Sequence, residues 1–176
     1  TKGDQPFQAL IARQLQVQPP GPKPATALAP NRGRKVLVFS DSRQTAARLA
    51  PNIQTYSMRD VVRPLIIAGM THLQAAPQVN AMLSLDDTYF AVLVAAAKLG
   101  VRLRPELHLG ESFVIDRQVE AEIKNGALDD AMSLLRLYVD VSKSRPPEAL
   151  LRSIHHALTD QFWGLAALGL ATVQET

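Results

Sequence analysis

The residues whose types and spacing could do chemistry lie in one run, Lys35-Val36-Leu37-Val38-Phe39 followed by Ser40-Asp41-Ser42-Arg43-Gln44. Unbroken apolarity from Val36 to Phe39, with two β-branched residues, predicts a strand buried on both faces, as in parallel α/β sheets. Ser40, Asp41 and Ser42 are all competent helix caps, and Arg43 to Ala50 is good helix material. A strand, a capped turn and a helix would gather hydroxyls, an amide, a guanidinium fork and free helix N-terminal amides at the carboxyl edge of a sheet. That spot suits an anion such as a nucleic-acid phosphate. The plainer reading is that Ser40 to Ser42 only cap the helix and Arg43 pairs with a local carboxylate. One strand cannot make a sheet, so its partners lie elsewhere in a longer chain or it docks weakly.

No other stretch carries a recognisable reaction centre. The sequence has no G-x-x-x-x-G-K-[ST] loop, G-x-G-x-x-G turn, G-x-S-x-G elbow or H-E-x-x-H pair, which argues against a self-contained enzyme. His155 and His156 are adjacent in sequence, so on a helix they point to different sides and cannot share one metal. Asp86-Asp87 and Asp129-Asp130 fall near helix starts, where carboxylates suit the helix dipole. Zero cysteines removes disulfides, thiolate nucleophiles and Cys-containing zinc sites, and fits a cytoplasmic setting.

The 176 residues, 47% of them hydrophobic and 20% charged, suffice for one ordinary domain with a real core. The longest apolar run, Phe90 to Ala97, falls well short of the roughly 20 residues of a spanning helix, so no membrane association is expected. Net charge is a mild +3, but it is unevenly placed. Residues 1–59 hold nine Lys/Arg against two Asp/Glu, whereas residues 60–176 hold ten against fourteen. The first part is expected to meet phosphate and the second to be solvated or to face protein. The chain starts Thr-Lys-Gly-Asp and stops at Ala-Thr-Val-Gln-Glu-Thr, which reads as an excised segment of a longer protein.

The elements that would position the motif follow from caps and periodicity. Asp4-Gln5-Pro6 starts a short amphipathic helix over about Gln5 to Gln16, with Phe7, Leu10, Ile11, Gln14 and Leu15 on one face. Five prolines between Pro19 and Pro30 make an extended linker, which ends in the basic turn Asn31-Arg32-Gly33-Arg34-Lys35. Pro51 should break the helix that follows the motif, and Ser57 with Asp60 should start another ahead of Val61, Val62, Leu65 and Ile66. Further helices are predicted over Leu85 to Leu99, closed by Gly100, and over Ser112 to Lys124, closed by Asn125-Gly126. Next comes a helix with Leu128, Ala131, Met132, Leu135, Tyr138 and Val139 on its core face, then one opened by Pro146-Pro147 and bearing Leu150, Leu151, Ile154 and Leu158. Those last two stripes are expected to pack on each other. A final helical piece spans Asp160 to Leu168, and a short second strand lies near Leu170 to Val173.

The run RKVLVFSDSRQTAARLAP, Arg34 to Pro51, resembles the strand-and-loop motif that opens the second RecA-like lobe in a branch of bacterial superfamily 2 DEAD/DEAH-box helicases. TKGDQPFQALIARQLQVQPP resembles the helix and linker before that motif, and Leu165 to Leu170 resembles the end of a long helical insertion in the same lobe. The resemblance implies contact with the sugar-phosphate backbone of a bound strand through Ser40, Ser42, Arg43 and Gln44, with Asp41 orienting the turn. It also implies ATP and Mg²⁺ in the parent protein, though no cofactor in this segment. The Walker lysine loop, the D-E-x-H box and any Q-x-x-G-R-x-x-R run are absent, so ATP hydrolysis by the segment alone is not expected.

The expected fold class is therefore mainly α with a small α/β element: a partial RecA-like lobe, one buried strand followed by a helix, plus a helical insertion bundle. Its expected organisation is an N-terminal helix over 1–18, a linker over 19–33, the start of the lobe over 34–76 and the insertion over 77–176. The expected partners are nucleic acid, with DNA favoured over RNA, and the remaining helicase lobes of the parent chain. The rival expectation is an α-helical module that binds another protein through its acidic half, residues 60–176.

Overall fold

The computed structural model describes residues 5–23, 31–39, 43–76, 87–101, 103, 111–162 and 164–171. Among them six helices and no strand occur: α1 (Gln5–Val17), α2 (Arg43–Ala75), α3 (Asp87–Leu99), α4 (Glu111–Lys124), α5 (Ala131–Lys143) and α6 (Glu148–Thr159). The mainly helical expectation holds. The chain forms two compact units, Thr1–Ser57 and Met58–Thr176.

In the first unit, α1 covers the predicted helix. Residues 34–39 lie in no strand, which corrects the expectation of a buried strand: Leu37 is 81% and Phe39 89% exposed. A strand is held by ladder hydrogen bonds to at least one neighbouring strand, and no described residue offers a ladder to this one.

The helix after the motif is longer than predicted. Pro51 does not break it and Ser57 does not start a new one, since α2 runs 33 residues with Pro51 and Pro64 inside it. A proline removes a single i→i−4 hydrogen bond and crowds one carbonyl. The helix formers on either side outweigh that local loss, and the Ser57/Asp60 spacing is equally at home on the outside of a continuing helix.

The second unit is built around α3. From Thr88 to Ala96 every residue of this helix is buried, the mark of a helix that is apolar all round and sits at a core. It packs against α4, α5 and α6, and Met58, Val62, Leu65, Ile66, Leu73 and Ala76 of the α2 region belong to the same core. Phe90 of α3 meets Tyr138 of α5 edge to face at 5.5 Å, a favoured aromatic geometry.

Loop chemistry ends these helices much as the sequence indicates. Gly100 (φ 64°) and Gly126 (φ 88°) take left-handed backbone after α3 and α4. There the Val101 amide reaches the Ala96 carbonyl and the Ala127 amide that of Glu122, at 2.9 and 3.0 Å. Asp130 caps α5 by accepting from the Ser133 amide at 2.9 Å. Hydrogen bonding from Ser133, its hydroxyl first and its amide second, holds the Asp130 carboxyl below the usual carboxylate range.

Three expectations in this unit are corrected. The core face of α5 is Leu134, Leu137 and Val141, whereas Met132, Leu135 and Val139 of the predicted stripe are exposed. Both stripes are apolar, so sequence periodicity alone does not choose between them. On α6, Leu150, Ile154 and Leu158 are buried as expected, but Leu151 is exposed. The described residues after Asp160 form turns and bends rather than a helix. Here the Leu165 amide donates to the Ala157 carbonyl at 2.8 Å, folding the chain back so that Leu165 is buried. Leu170 and Ala171 are not in a strand, and Val173 lies outside the described residues.

Candidate nucleic-acid interface

Within the first unit, one side-chain amide holds the segment 34–39. Gln18, just past the end of α1, donates from Nε2 to the Lys35 carbonyl at 3.0 Å and accepts the Lys35 amide on Oε1 at 3.2 Å. It thus makes the pair of bonds a neighbouring strand would make. Beside it, the Arg34 guanidinium donates to the Leu15 carbonyl at 3.1 Å and to the Asn31 carbonyl at 3.0 Å. The first of these covers a carbonyl left open at the end of α1, where a cation also suits the helix dipole.

The turn at residues 31–33 is tight. Arg32 (φ 51°) and Gly33 (φ 80°) both adopt left-handed backbone. The Gly21 amide closes the loop by donating to the Arg32 carbonyl at 2.8 Å, and the Arg32 guanidinium reaches the Lys23 and Gly21 carbonyls at 3.3 and 3.4 Å. The forks of Arg32 and Arg34 are thereby committed to main-chain oxygens.

Lys23, Lys35 and Arg43 are different: all three are exposed, and none pairs with a carboxylate among the described residues. Arg43 is the first residue of α2, at the end of a helix that presents unsatisfied amides and a positive dipole. Of the four predicted contact residues, Arg43 is exposed at this helix start and Gln44 follows it on the same turn. Ser40 and Ser42 lie outside the described residues. Lys23 and Lys35 were not among the predicted contacts, and the excess of cations in residues 1–59 is the signal that points to them. What these groups can do chemically is bind an anion; none is a nucleophile or a general base.

Elsewhere the described residues offer little chemistry. A surface hollow of about 430 Å³ is lined by Leu151, Arg152, His155, His156, Thr159 and Asp160. Its charged groups are engaged locally: Arg152 with Glu148 at 2.7 Å and His156 Nδ1 with Asp160 at 3.2 Å. No group of three His, Asp or Glu able to hold a metal occurs among the described residues. Among the same residues no helix is long and apolar enough to cross a membrane.

No protein-family model matches the chain, and no solved structure matches it. Among curated proteins it is similar to the Druantia protein DruE of Escherichia coli (strain UMEA 4076-1), with 42% identity over 74 residues. The matched residues make up 42% of this chain and 4% of that protein.

Proposed function

We propose that this chain is a segment of an ATP-dependent superfamily 2 nucleic-acid helicase or translocase, and that its share of the work is grip on the sugar-phosphate backbone. The observation that carries the reading is Arg43, exposed and without a carboxylate partner among the described residues, at the first position of α2. It is the arginine of the FSDSRQ run, Phe39 to Gln44, that resembles the helicase motif. Lys23 and Lys35, without a carboxylate partner among the described residues, add positive charge that phosphates would neutralise. The exposed apolar residues Leu37 to Phe39 support the same reading, because such a lobe would supply the strands that cover them. ATP, Mg²⁺ and hydrolysis would belong to other parts of such a protein, whose lobe closure would move the strand gripped here. The similarity to a protein of which the match is 4% suits a segment of something much larger.

The test is a salt titration of single-strand binding by the full-length protein, wild type and Arg43→Ala. One Arg-phosphate contact contributes about 1 to 3 kcal/mol, so the substitution should weaken binding roughly 5- to 150-fold. The loss should be alike for unrelated sequences, since phosphates carry no sequence information, and the salt slope should shallow by about 0.7. Unchanged affinity and slope in a folded variant would return Arg43 and its neighbours to the plain role of starting a helix.

A further inference from the structure

We propose that Asn125 is a site of spontaneous covalent ageing, where the Gly126 nitrogen displaces the side-chain amide and leaves an isoaspartyl link that weakens the end of α4. The site lies in the second unit and does not rest on the nucleic-acid reading.

The chain holds four asparagines, and Asn125 alone has glycine after it; Asn31, Asn52 and Asn80 precede Arg32, Ile53 and Ala81. The reaction begins when a main-chain nitrogen attacks the Cγ of the asparagine before it. A side chain on the attacking residue obstructs that approach, and glycine has none. The sequence thus singles out one position, and the fold decides whether it reacts.

Two features of the fold favour reaction. Asn125 is exposed, in the turn 125–129 that follows α4. Space beside Gly126 is open too: a methyl group placed there would meet, beyond its chain neighbours, only Asp129 Oδ2 at 3.9 Å. The opposing feature is the cap, in which the Gly126 amide donates to the Ile123 carbonyl at 3.2 Å and the Ala127 amide to that of Glu122 at 3.0 Å. These bonds close the last turn of a helix, and such ends fray without unfolding the core behind them. Once its bond opens, Gly126 leaves its left-handed backbone (φ 88°) at no steric cost.

In the open state the Gly126 nitrogen bonds to Asn125 Cγ. The Cγ–Nδ2 bond breaks, and Nδ2 leaves as ammonia with the proton that the Gly126 nitrogen gives up. Water then opens the resulting five-membered ring at either carbonyl. Breaking the new bond to Cγ gives aspartate, whereas breaking the bond to the main-chain carbonyl of residue 125 reroutes the chain through Cγ and gives isoaspartate. No oxidant or reductant takes part.

Either product puts a carboxylate at the C-terminal end of α4, where the helix dipole opposes an anion. Isoaspartate also adds a methylene to the main chain just ahead of Ala127, which is 2% exposed, and of Asp130, the cap of α5. The cap bonds to Ile123 and Glu122 cannot both survive that insertion with Ala127 still in the core.

The test incubates the whole folded chain, with parallel samples in urea and of Asn125→Ser, and follows each asparagine by peptide mass mapping and by methyl acceptance from an isoaspartyl methyltransferase. In the folded chain Asn125 should convert at least about tenfold faster than each of the other three, because only it precedes a residue without a Cβ, and isoaspartate should be among its products. Aged wild type should unfold at lower urea than fresh protein, Asn125→Asp should show a smaller drop because it brings the charge without the added methylene, and Asn125→Ser should age without loss. Conversion of Asn125 confined to the urea sample, conversion no faster than at Asn31, Asn52 or Asn80, or aspartate without isoaspartate would overturn the proposal. So would equal unfolding midpoints for fresh and aged wild type.

Discussion

Gly69 of α2 lies against the main-chain carbonyl of Ala91 on α3, so close that a methyl group on Gly69 would overlap the carbonyl oxygen. Both residues are buried, and the atom in the way is backbone, which cannot swing aside as a side chain could. Glycine is otherwise a poor choice in a helix interior, by about 1 kcal/mol relative to alanine. Its presence here is explained by close approach of the two helices.

Gly69→Ala should therefore destabilise the second unit even though it improves helix propensity. Forced overpacking costs about 1 to 3 kcal/mol, which exceeds the propensity gain over most of that range. Gly69→Val should cost more. Urea unfolding followed by circular dichroism checks the order wild type, Ala, Val; an alanine variant more stable than wild type would show that the helices separate freely.

The two faces of α5 should respond oppositely to truncation. Leu137 is 2% exposed, so Leu137→Ala removes core volume and should cost about 2 to 5 kcal/mol. Leu135→Ala lies on the outward stripe and should change stability by no more than about 0.5 kcal/mol. Equal losses in unfolding experiments would mean that both faces are buried in solution.

Tyr89 offers a gain. Its hydroxyl is buried without a hydrogen bond of acceptable geometry, and Ser144 nearby gives its own hydroxyl to the Val141 carbonyl at 2.7 Å. Tyr89→Phe should raise stability by about 1 kcal/mol at neutral pH, because an unsatisfied buried hydroxyl is removed. Burial, reinforced by the Asp116 carboxylate, also pushes the phenol well above its ordinary value, with Ser144 opposing weakly. Below an unfolded-state pKa of about 10 the phenol is neutral in both states, and its contribution is fully present. As pH rises beyond that, the unfolded chain ionises first and stability falls. Unfolding midpoints between pH 8 and 11 should drop more steeply for wild type than for Tyr89→Phe.

Gln18 should prove to be the fastening of residues 34–39. Removing its two bonds to Lys35 with Gln18→Ala forfeits about 0.5 to 1.5 kcal/mol of local stability per bond. Hydrogen exchange at the Lys35 amide should then quicken at least roughly threefold, while amides in α3 should stay as they are. An unchanged Lys35 rate would assign the fastening to Arg34 instead.

Much of the second unit was legible from local signals. Asp130 as a cap, Gly100 and Gly126 as stops and Pro147 at the head of α6 all rest on short-range chemistry that a sequence displays. The choice of core face on α5 was not legible, because Leu134, Leu137 and Val141 compete with an equally apolar stripe and the positions of α3 and α4 decide between them. The continuity of α2 through Pro51 was hidden for a related reason, since the loss at one proline is decided by residues well beyond it. At the candidate site, Arg43 stands exposed at a helix start, while Ser40 and Ser42 lie outside the described residues. The Gln18–Lys35 pair spans 17 residues across a proline-rich linker, and no periodicity announces it.

The exposed segment from Leu37 to Phe39 also bears on how this chain behaves in concentrated solution. An exposed apolar stretch without ladder partners among the described residues is a template for cross-chain pairing, the first step towards amorphous or fibrillar aggregates. Charged residues on either side, Arg34 and Lys35 before it and Asp41 and Arg43 after it, act as gatekeepers that keep such pairing unfavourable. Neutralising them would cost solubility before it cost folding, and raised salt, by screening the same charges, would do so in the unaltered chain.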